Sequence, residues 1–296
     1  MIDVSIILVN YNSSLLTIDA VDSILDKTKR VKYEIIIVDN CSTSADIKIL
    51  KDYYGNNPLI KLICNNLNLG FGVANNIGSK YSTGDVLLFL NPDTILINDA
   101  ISILYNHLQS NPRIGICGGQ LYDDKGGQMH SYSMFLPGLI TDFDKAFCNI
   151  ISRTKLLFCK KDHYRVGYIT GADLMIRKSL YDEIGGFDSD FFMYYEESEM
   201  TYRIKKLKYR VMCFRDAKII HLEGKTHVFN DDKLRIIFNG RKLYMKKTSC
   251  KISRIFIHYN YLLLNYANKM RYKLSGDIDN YQRIKNKLRI YKEVFS

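Results

Sequence analysis

Near-continuous runs of aliphatic and β-branched residues alternate, over the first ninety positions, with segments of helical length. Residues 4–9, 33–38, 59–64 and 86–90 are runs of that kind, bounded by Asn, Asp and Gly, and read as strands buried on both faces. Residues 16–26, 45–53 and 72–81 lie between them and predict helices. Strand, helix and strand in that order mean βαβ units, so the pattern predicts an α/β domain with a doubly wound, mostly parallel sheet. Ligands of such a sheet bind beyond the carboxyl ends of its strands.

Those ends are polar. Asn10-Tyr11-Asn12-Ser13 follows the first run, Asp39-Asn40-Cys41-Ser42 the second, Asn65-Asn66-Leu67-Asn68-Leu69-Gly70-Phe71-Gly72 the third and Asn91-Pro92-Asp93-Thr94 the fourth. One loop of this composition is an ordinary turn or helix cap. Four in register form a convergent rim suited to the base, ribose and phosphates of a nucleotide. Gly70-Phe71-Gly72 is no dinucleotide fingerprint, because it follows the third strand and Asn75 stands where the last glycine belongs. No GxxxxGK[ST] phosphate loop occurs.

Further along, Tyr194-Tyr195-Glu196-Glu197-Ser198-Glu199 sets three carboxylates within four residues, directly after the apolar Phe191-Phe192-Met193. Two readings are open from the segment alone. It is a charged first helical turn with Glu199 and Arg203 as an i,i+4 pair, or it brings a general base into a cleft.

Composition adds a globular chain of 296 residues, 47% hydrophobic and 25% charged, large enough for one sizeable domain and an appendage. Seven scattered cysteines without a CxxC pair argue against a disulfide framework or a zinc site and fit a reducing cytoplasm. The N-terminus shows no basic, cleavable leader and no run approaches about 18 apolar residues, so neither export nor a membrane span is expected. The charge is uneven: residues 241–296 carry 14 Lys and Arg against 3 Asp and Glu, whereas residues 1–240 hold 28 of each. That shift predicts a body over 1–240, with a donor half of about 1–100 and an acceptor half of about 101–240, and a basic extension over 241–296. Within the extension Ile252, Ile255, Phe256, Tyr259, Leu263, Tyr266 and Met270 recur at helical steps, as do Ile278, Tyr281, Ile284, Leu288, Tyr291 and Phe295, with Ser275-Gly276-Asp277 as the break. Basic amphipathic helices fit an anionic membrane face, and they also fit packing on the body or on another subunit. No nucleic-acid recognition motif accompanies the charge.

Taken in order, Val4-Ser5-Ile6-Ile7-Leu8-Val9-Asn10-Tyr11-Asn12, Ile36-Ile37-Val38-Asp39-Asn40, Asn68-Leu69-Gly70-Phe71-Gly72, Leu88-Phe89-Leu90-Asn91-Pro92-Asp93-Thr94, Thr170-Gly171-Ala172, Gly185-Gly186-Phe187-Asp188 and residues 191–203 resemble the successive motifs of family 2 glycosyltransferases. The similarity is strongest to the rhamnosyltransferase-like bacterial members that build O-antigen and capsule polysaccharides, and it runs from residue 4 to about 225. It implies a GT-A fold with a Rossmann-like nucleotide-binding half, and inverting transfer from a nucleoside-diphosphate sugar of the UDP or dTDP type. The acceptor would be a hydroxyl of a saccharide or of a polyprenyl-diphosphate-linked acceptor, with the enzyme cytoplasmic or peripheral at the inner membrane face.

Carried over residue by residue, the resemblance places Asp39 on the pyrimidine edge with Asn10 and Asn12 beside it, and Asn68, Gly70 and Asn75 at the ribose and diphosphate. Asn91-Pro92-Asp93 stands where the family has DxD, which makes Asp93 the carboxylate on Mn²⁺ or Mg²⁺ and leaves Asn91 to the ribose or a bridging water. His221, in Ile219-Ile220-His221-Leu222-Glu223-Gly224, matches a histidine that in relatives binds metal or diphosphate. Glu197 aligns with the catalytic base, as glutamate where the family has aspartate; Glu196 is the alternative base and, with Asp173, an expected acceptor contact. Two rivals are a sugar nucleotidyltransferase, for which Asn10-Tyr11-Asn12-Ser13 lacks the Gly-rich basic loop, and a non-catalytic sugar- or nucleotide-binding module. Specificity is expected in residues 120–170, around Gly126-Gly127 and Pro137-Gly138, which read as loop-rich.

Overall fold

Each apolar run of the first ninety residues forms its strand in the computed structural model, which describes residues 1–55, 57–146, 149–157, 162–222 and 231–296. The strands are β1 (Val4–Asn10), β2 (Tyr33–Asp39), β3 (Ile60–Cys64) and β4 (Val86–Leu90), and the helices between them are α1 (Ser14–Lys27), α2 (Ser44–Tyr54) and α3 (Phe71–Lys80). They lie in the order β3-β2-β1-β4 with every neighbouring pair parallel. Asn10 is in register with Asp39, so the first two polar loops leave the sheet side by side.

Side chains alternate across this sheet and divide the core in two. Val4, Ile6 and Leu8 of β1 pack with Ile18, Val21 and Ile24 of α1, Leu50 of α2 and Leu104 of α4 (Ala100–Ser110). Ile7 points the other way, into a cluster with Ala74 of α3, Leu180 and Tyr181 of α7 (Lys178–Glu183), and Met200 and Ile204 of α8 (Glu196–Lys206).

Past β4 the sheet becomes mixed. It continues through β10 (Asp173–Arg177), β6 (Ile114–Tyr122), β11 (Arg210–His221) and β5 (Thr94–Leu96), with β8 (His163–Arg165) also paired to β11. Strand β10 runs antiparallel to β4 and β6, β11 runs parallel to β6, and β5 and β8 run antiparallel to β11. An all-parallel arrangement is therefore confined to β1–β4, where a helix or helix-length segment crosses over between strands. No helix separates β9 (Tyr168–Ile169) from β10, and the chain enters β10 from the opposite end. The stretch 120–170 carries short elements as well as loops: β7 (Tyr132–Ser133) paired with β9, then α5 (Leu139–Ala146) and α6 (Ile150–Leu157).

The chain ends in α9 (Asp231–Thr248), α10 (Lys251–Leu274) and α11 (Ile278–Phe295), which share a core of Leu234, Phe238, Tyr261, Ile290 and Tyr291. The charge boundary at residue 240 falls inside α9, a helix that reaches back to the body through the buried Arg241–Asp142 ion pair with α5. Helix α10 buries Ile257, Tyr261 and Asn265 and turns the opposite stripe outward. Ile252, Phe256, Tyr259, Leu263 and Met270 are exposed, Leu263 by 69%. Periodicity thus predicts the helix while leaving open which apolar stripe meets the protein. No helix among the described residues is long and apolar enough to cross a membrane.

Candidate active site

The polar rim is built as a hydrogen-bonded lattice. Asn10, fully buried, donates from Nδ2 to Asp39 Oδ1 at 2.8 Å, to Ser42 Oγ at 3.1 Å and to Asp46 Oδ2 at 2.9 Å. Its Oδ1 accepts from Ser13 Oγ and Thr17 Oγ1. With its capacity used in this way, Asn10 aims Asp39 and leaves ligand contact to others. Asp39 is only 2% exposed, and its Oδ2 accepts from the Ser42 amide. Asn12, in a left-handed conformation with φ 52°, ties the first loop to the second by donating its amide to Ser42 Oγ and accepting from the Thr43 amide.

The third loop is organised by Asn40. Its Nδ2 donates to Asn68 Oδ1 at 2.8 Å and to the Gly70 carbonyl at 3.3 Å, while its Oδ1 accepts from the Leu69 amide and Asn65 Nδ2. Sequence reasoning passed over Asn40 and Asp46, because nothing local marks a side chain as the hub of loops that meet only in three dimensions. Gly70 has φ 81°, and a Cβ there would lie 2.1 Å from the Phe192 carbonyl oxygen. The close approach that requires glycine is therefore made to the segment preceding Glu197, where the Phe71 amide donates to the same carbonyl at 2.9 Å. Asn75 is buried and bonded to the Phe71 carbonyl of its own helix, so the ribose or diphosphate contact expected of it is not open in this arrangement.

At the far side of the rim, Asp93 and His221 come together. Thr94 of β5 is in register with His221 of β11, and His221 Nε2 stands 3.2 Å from Asp93 Oδ1 and 3.4 Å from Asn91 Nδ2. Two neighbouring ligands of an octahedral cation are separated by about 3 Å, given bonds of about 2.1 Å, so an imidazole nitrogen and a carboxylate oxygen at this spacing fit one divalent ion. No third His, Cys, Asp or Glu joins them among the described residues, which leaves most coordination positions to phosphate oxygens and water. Glu223 and Gly224, the continuation of the His221 motif, lie outside the described residues.

The acidic segment opens α8. Tyr194 and Tyr195 adopt consecutive left-handed conformations, φ 68° and 74°, a strained entrance for two aromatic residues that the surroundings must hold in place. The Phe71 bond fixes one side of it. On the other side Gly240 of α9 makes room, since a Cβ there would come within 2.6 Å of the Tyr194 carbonyl oxygen. Lys247 pairs with Asp188 at 2.5 Å and Asp190 at 2.7 Å. Glu199 receives Arg203 through both carboxylate oxygens, and Arg203 extends to the Ile184 and Gly186 carbonyls, so this carboxylate belongs to the scaffold.

Glu196 and Glu197 differ in environment. Glu196 is buried with Oε2 unpartnered, and burial, reinforced by the neighbouring Glu197 charge, drives its carboxyl well above the usual range. Glu197 retains part of its surface, and burial raises its carboxyl to about 7 against amide and Ser198 hydrogen bonds that favour the ionised form. Asp173 is also closed to solvent. Its Oδ2 accepts from the Gly119 amide, its Oδ1 has no partner, and burial pushes its pKa up. The acceptor contacts expected of Asp173 and Glu196 are thus not available as the chain stands: strand alternation turns Asp173 toward the glycines of β6, and the first turn of α8 turns Glu196 inward.

Residues 5–185 match glycosyl transferase family 2. Among curated proteins, the rhamnosyltransferase WbbL of Escherichia coli K12 is 29% identical over 58% of this chain and 66% of its own length. The low-salt glycan biosynthesis hexosyltransferase Agl10 of Haloferax volcanii is 29% identical over 83% of this chain and 76% of its own. An N-acetylglucosaminyl-diphospho-decaprenol L-rhamnosyltransferase of Mycobacterium tuberculosis is 25% identical over 63% and 66%. The chain thus spans about two thirds to three quarters of the length of these relatives. Among solved structures, GalNAc-T7 with UDP, GalNAc and Mn²⁺ superposes with a TM-score of 0.64 at 18% identity, over 83% of this chain and 48% of that one. The mannosyltransferase PcManGT from Pyrobaculum calidifontis, with GDP-Man and Mn²⁺, gives 0.60 at 16% identity over 100% and 78%. The fold is GT-A, and the chain belongs to glycosyl transferase family 2.

Proposed function

We propose that the protein transfers a sugar, with inversion, from a nucleoside-diphosphate sugar of the UDP or dTDP type to a saccharide or polyprenyl-diphosphate-linked acceptor in cell-surface polysaccharide synthesis. The observation that carries this reading is Glu197: a partly open carboxyl near 7, at the start of a helix whose entrance is hydrogen-bonded to the donor loop. A base poised near the working pH is what abstraction of a hydroxyl proton requires. Glu197 takes that proton as the acceptor oxygen attacks the anomeric carbon, and the bond from that carbon to the diphosphate oxygen breaks on the opposite side. Asp39, aimed by Asn10, accepts from the base, and Asn68 with the loop around Gly70 borders the ribose and diphosphate. Asp93 and His221 would hold Mn²⁺ or Mg²⁺, which supplies positive charge to the departing diphosphate. Mn²⁺ in both solved relatives and the names of the curated relatives support this reading.

The exposed stripe of α10 supports peripheral docking on an anionic membrane, since the helix presents Ile252, Phe256, Tyr259, Leu263 and Met270 and carries Lys and Arg but no carboxylate.

Incubation with a panel of sugar nucleotides and Mn²⁺ tests the reading. Release of nucleoside diphosphate from at least one donor, stopped by EDTA and by Asp93→Ala, is expected. No release from any donor favours a binding module, and turnover indifferent to both treatments removes the metal assignment.

A further inference from the structure

Arg241 follows Gly240 on α9 and sits behind the catalytic segment. Its side chain is buried and forks onto Asp142 of α5, with Nη1 donating to Oδ1 at 3.0 Å and Nη2 to Oδ2 at 2.5 Å. The guanidinium carbon lies over the Tyr261 ring of α10, 4.5 Å from its centre. Fork and ring together fix the plane of the guanidinium.

A buried pair of this kind is a costly way to join α5 to α9. Both ions lose their hydration, and apolar side chains of similar volume often hold such a junction at least as well. What the pair adds is direction, because a planar guanidinium clamped at one edge offers its remaining donors along fixed lines. One of those lines leads to Tyr195. Burial raises the Tyr195 phenol, while the charge of Arg241 and its hydrogen bond to the hydroxyl oppose that rise. Tyr244, three residues beyond Arg241 on the same face of α9, stands with its ring 5.7 Å from the Tyr195 ring. Helix α9 therefore meets both the ring and the hydroxyl of Tyr195.

Tyr195 is the N-cap residue of α8 and has φ 74°. A left-handed backbone is disfavoured for a residue with a Cβ and persists only where tertiary contacts impose it. The Tyr195 carbonyl accepts from the Glu199 amide at 2.9 Å and so closes the first turn of the helix. Glu196 and Glu197 are the next two residues, and a rotation at Tyr195 swings both carboxylates. The titratable groups that face Glu197 are Glu196, Tyr195 and, from β9, Tyr168.

We infer that Arg241 is a positioning residue for the base: held by Asp142 and Tyr261, it fixes the Tyr195 hydroxyl, and through the Tyr195 backbone it sets where Glu197 points. The inference deepens the transferase reading and rests on it for its catalytic meaning. The hydroxyl is the joint. Removing it alone leaves the ring against Tyr244 and cuts the tie to Arg241.

The test follows the carboxyl ¹³C resonance of Glu197 over pH in the full chain, assigned by its loss in Glu197→Gln, in wild type, Tyr195→Phe, Arg241→Lys and Arg241→Met. Release of nucleoside diphosphate from a donor that the wild type turns over is measured on the same samples. In Tyr195→Phe and Arg241→Met the Glu197 titration should fall from about 7 by about one pH unit or more, because a carboxyl no longer held in place gains water. The acid limb of the pH–rate profile should move with it. In both variants kcat should drop by about tenfold or more with the donor KM within about twofold of wild type, and Arg241→Lys should lie between them and wild type. Tyr195→Phe deletes one oxygen and keeps the packing, so it decides the matter even where Arg241→Met fails to fold. A Glu197 titration in Tyr195→Phe that matches wild type overturns the inference, and so does an unchanged kcat. Absence of transfer by the wild type fails the transferase reading instead, and the resonance still shows whether Arg241 and Tyr195 set the surroundings of Glu197.

Discussion

Glu197 and Glu196 are adjacent in sequence and chemically far apart. One keeps solvent contact with its carboxyl raised to about 7, and the other is buried with Oε2 unpartnered and its carboxyl pushed well above the usual range. A base with that pKa gives a transfer rate that falls about tenfold per unit as pH drops below about 7, and a pH–rate profile in saturating donor checks it. Stability should respond with the opposite sign. The folded state holds the Glu197 proton more tightly than the unfolded chain, whose carboxyl titrates near the ordinary 4.5. The contribution of this group is therefore favourable at low pH and is lost as pH rises from about 4.5 to 7. Glu197→Gln removes the cost of ionisation, so the variant should be more stable than wild type by roughly 2 kcal/mol at pH 8 and gain nothing at pH 4. Denaturant titrations at the two pH values decide it. The division of labour among the carboxylates was partly legible in the sequence. Spacing paired Glu199 with Arg203, whereas the burial of Glu196 and Asp173 depends on which neighbours the sheet and α8 bring against them.

Among the elements, α9 touches the entrance of α8 at a position that its composition conceals. Alanine is favoured over glycine in a helix interior by about 1 kcal/mol, and on propensity alone Gly240→Ala in α9 should stabilise the chain. Its added Cβ would instead lie 2.6 Å from the Tyr194 carbonyl oxygen, in a helix backbone with little freedom to retreat. We expect Gly240→Ala to lower the melting temperature and to reduce kcat by about tenfold to a hundredfold through displacement of the Glu197 segment. Donor affinity should change little, because Asp39, Asn40 and Asn68 lie on other loops. A kcat unchanged in the folded variant would show that α9 does not set the position of the base. Strands β1 to β4 and their helices could be read from the sequence within a residue or two, because continuous apolar runs and helical periodicity are local signals. The mixed half of the sheet could not. The placement of β10 between β4 and β6 is set by long-range pairing, and nothing in Asp173-Leu174-Met175-Ile176-Arg177 encodes its direction.

At the scale of the whole molecule, the basic excess of residues 241–296 is built into the second half of α9, α10 and α11; α9 packs against the segment that carries Glu197, and α10 turns one apolar stripe outward. Charge shift and periodicity announced the helices; their exposed face appears only once Ile257, Tyr261 and Asn265 are seen to take the packing. Vesicles containing anionic lipid should co-sediment the protein at low salt and release it as ionic strength rises past about 0.15 M, where the Debye length falls to about 8 Å. Tyr259→Asp with Leu263→Asp should abolish the association without unfolding the chain, since both side chains already face solvent. Association unaffected by salt and by these changes would contradict membrane docking through α10. If Glu197 is the base that faces a donor held by the strand-end loops, Glu197→Gln separates its role in transfer from donor binding when both are measured on the same sample. Transfer is expected to be abolished while donor affinity stays within about twofold of wild type; wild-type turnover in that variant would remove Glu197 from the role of base.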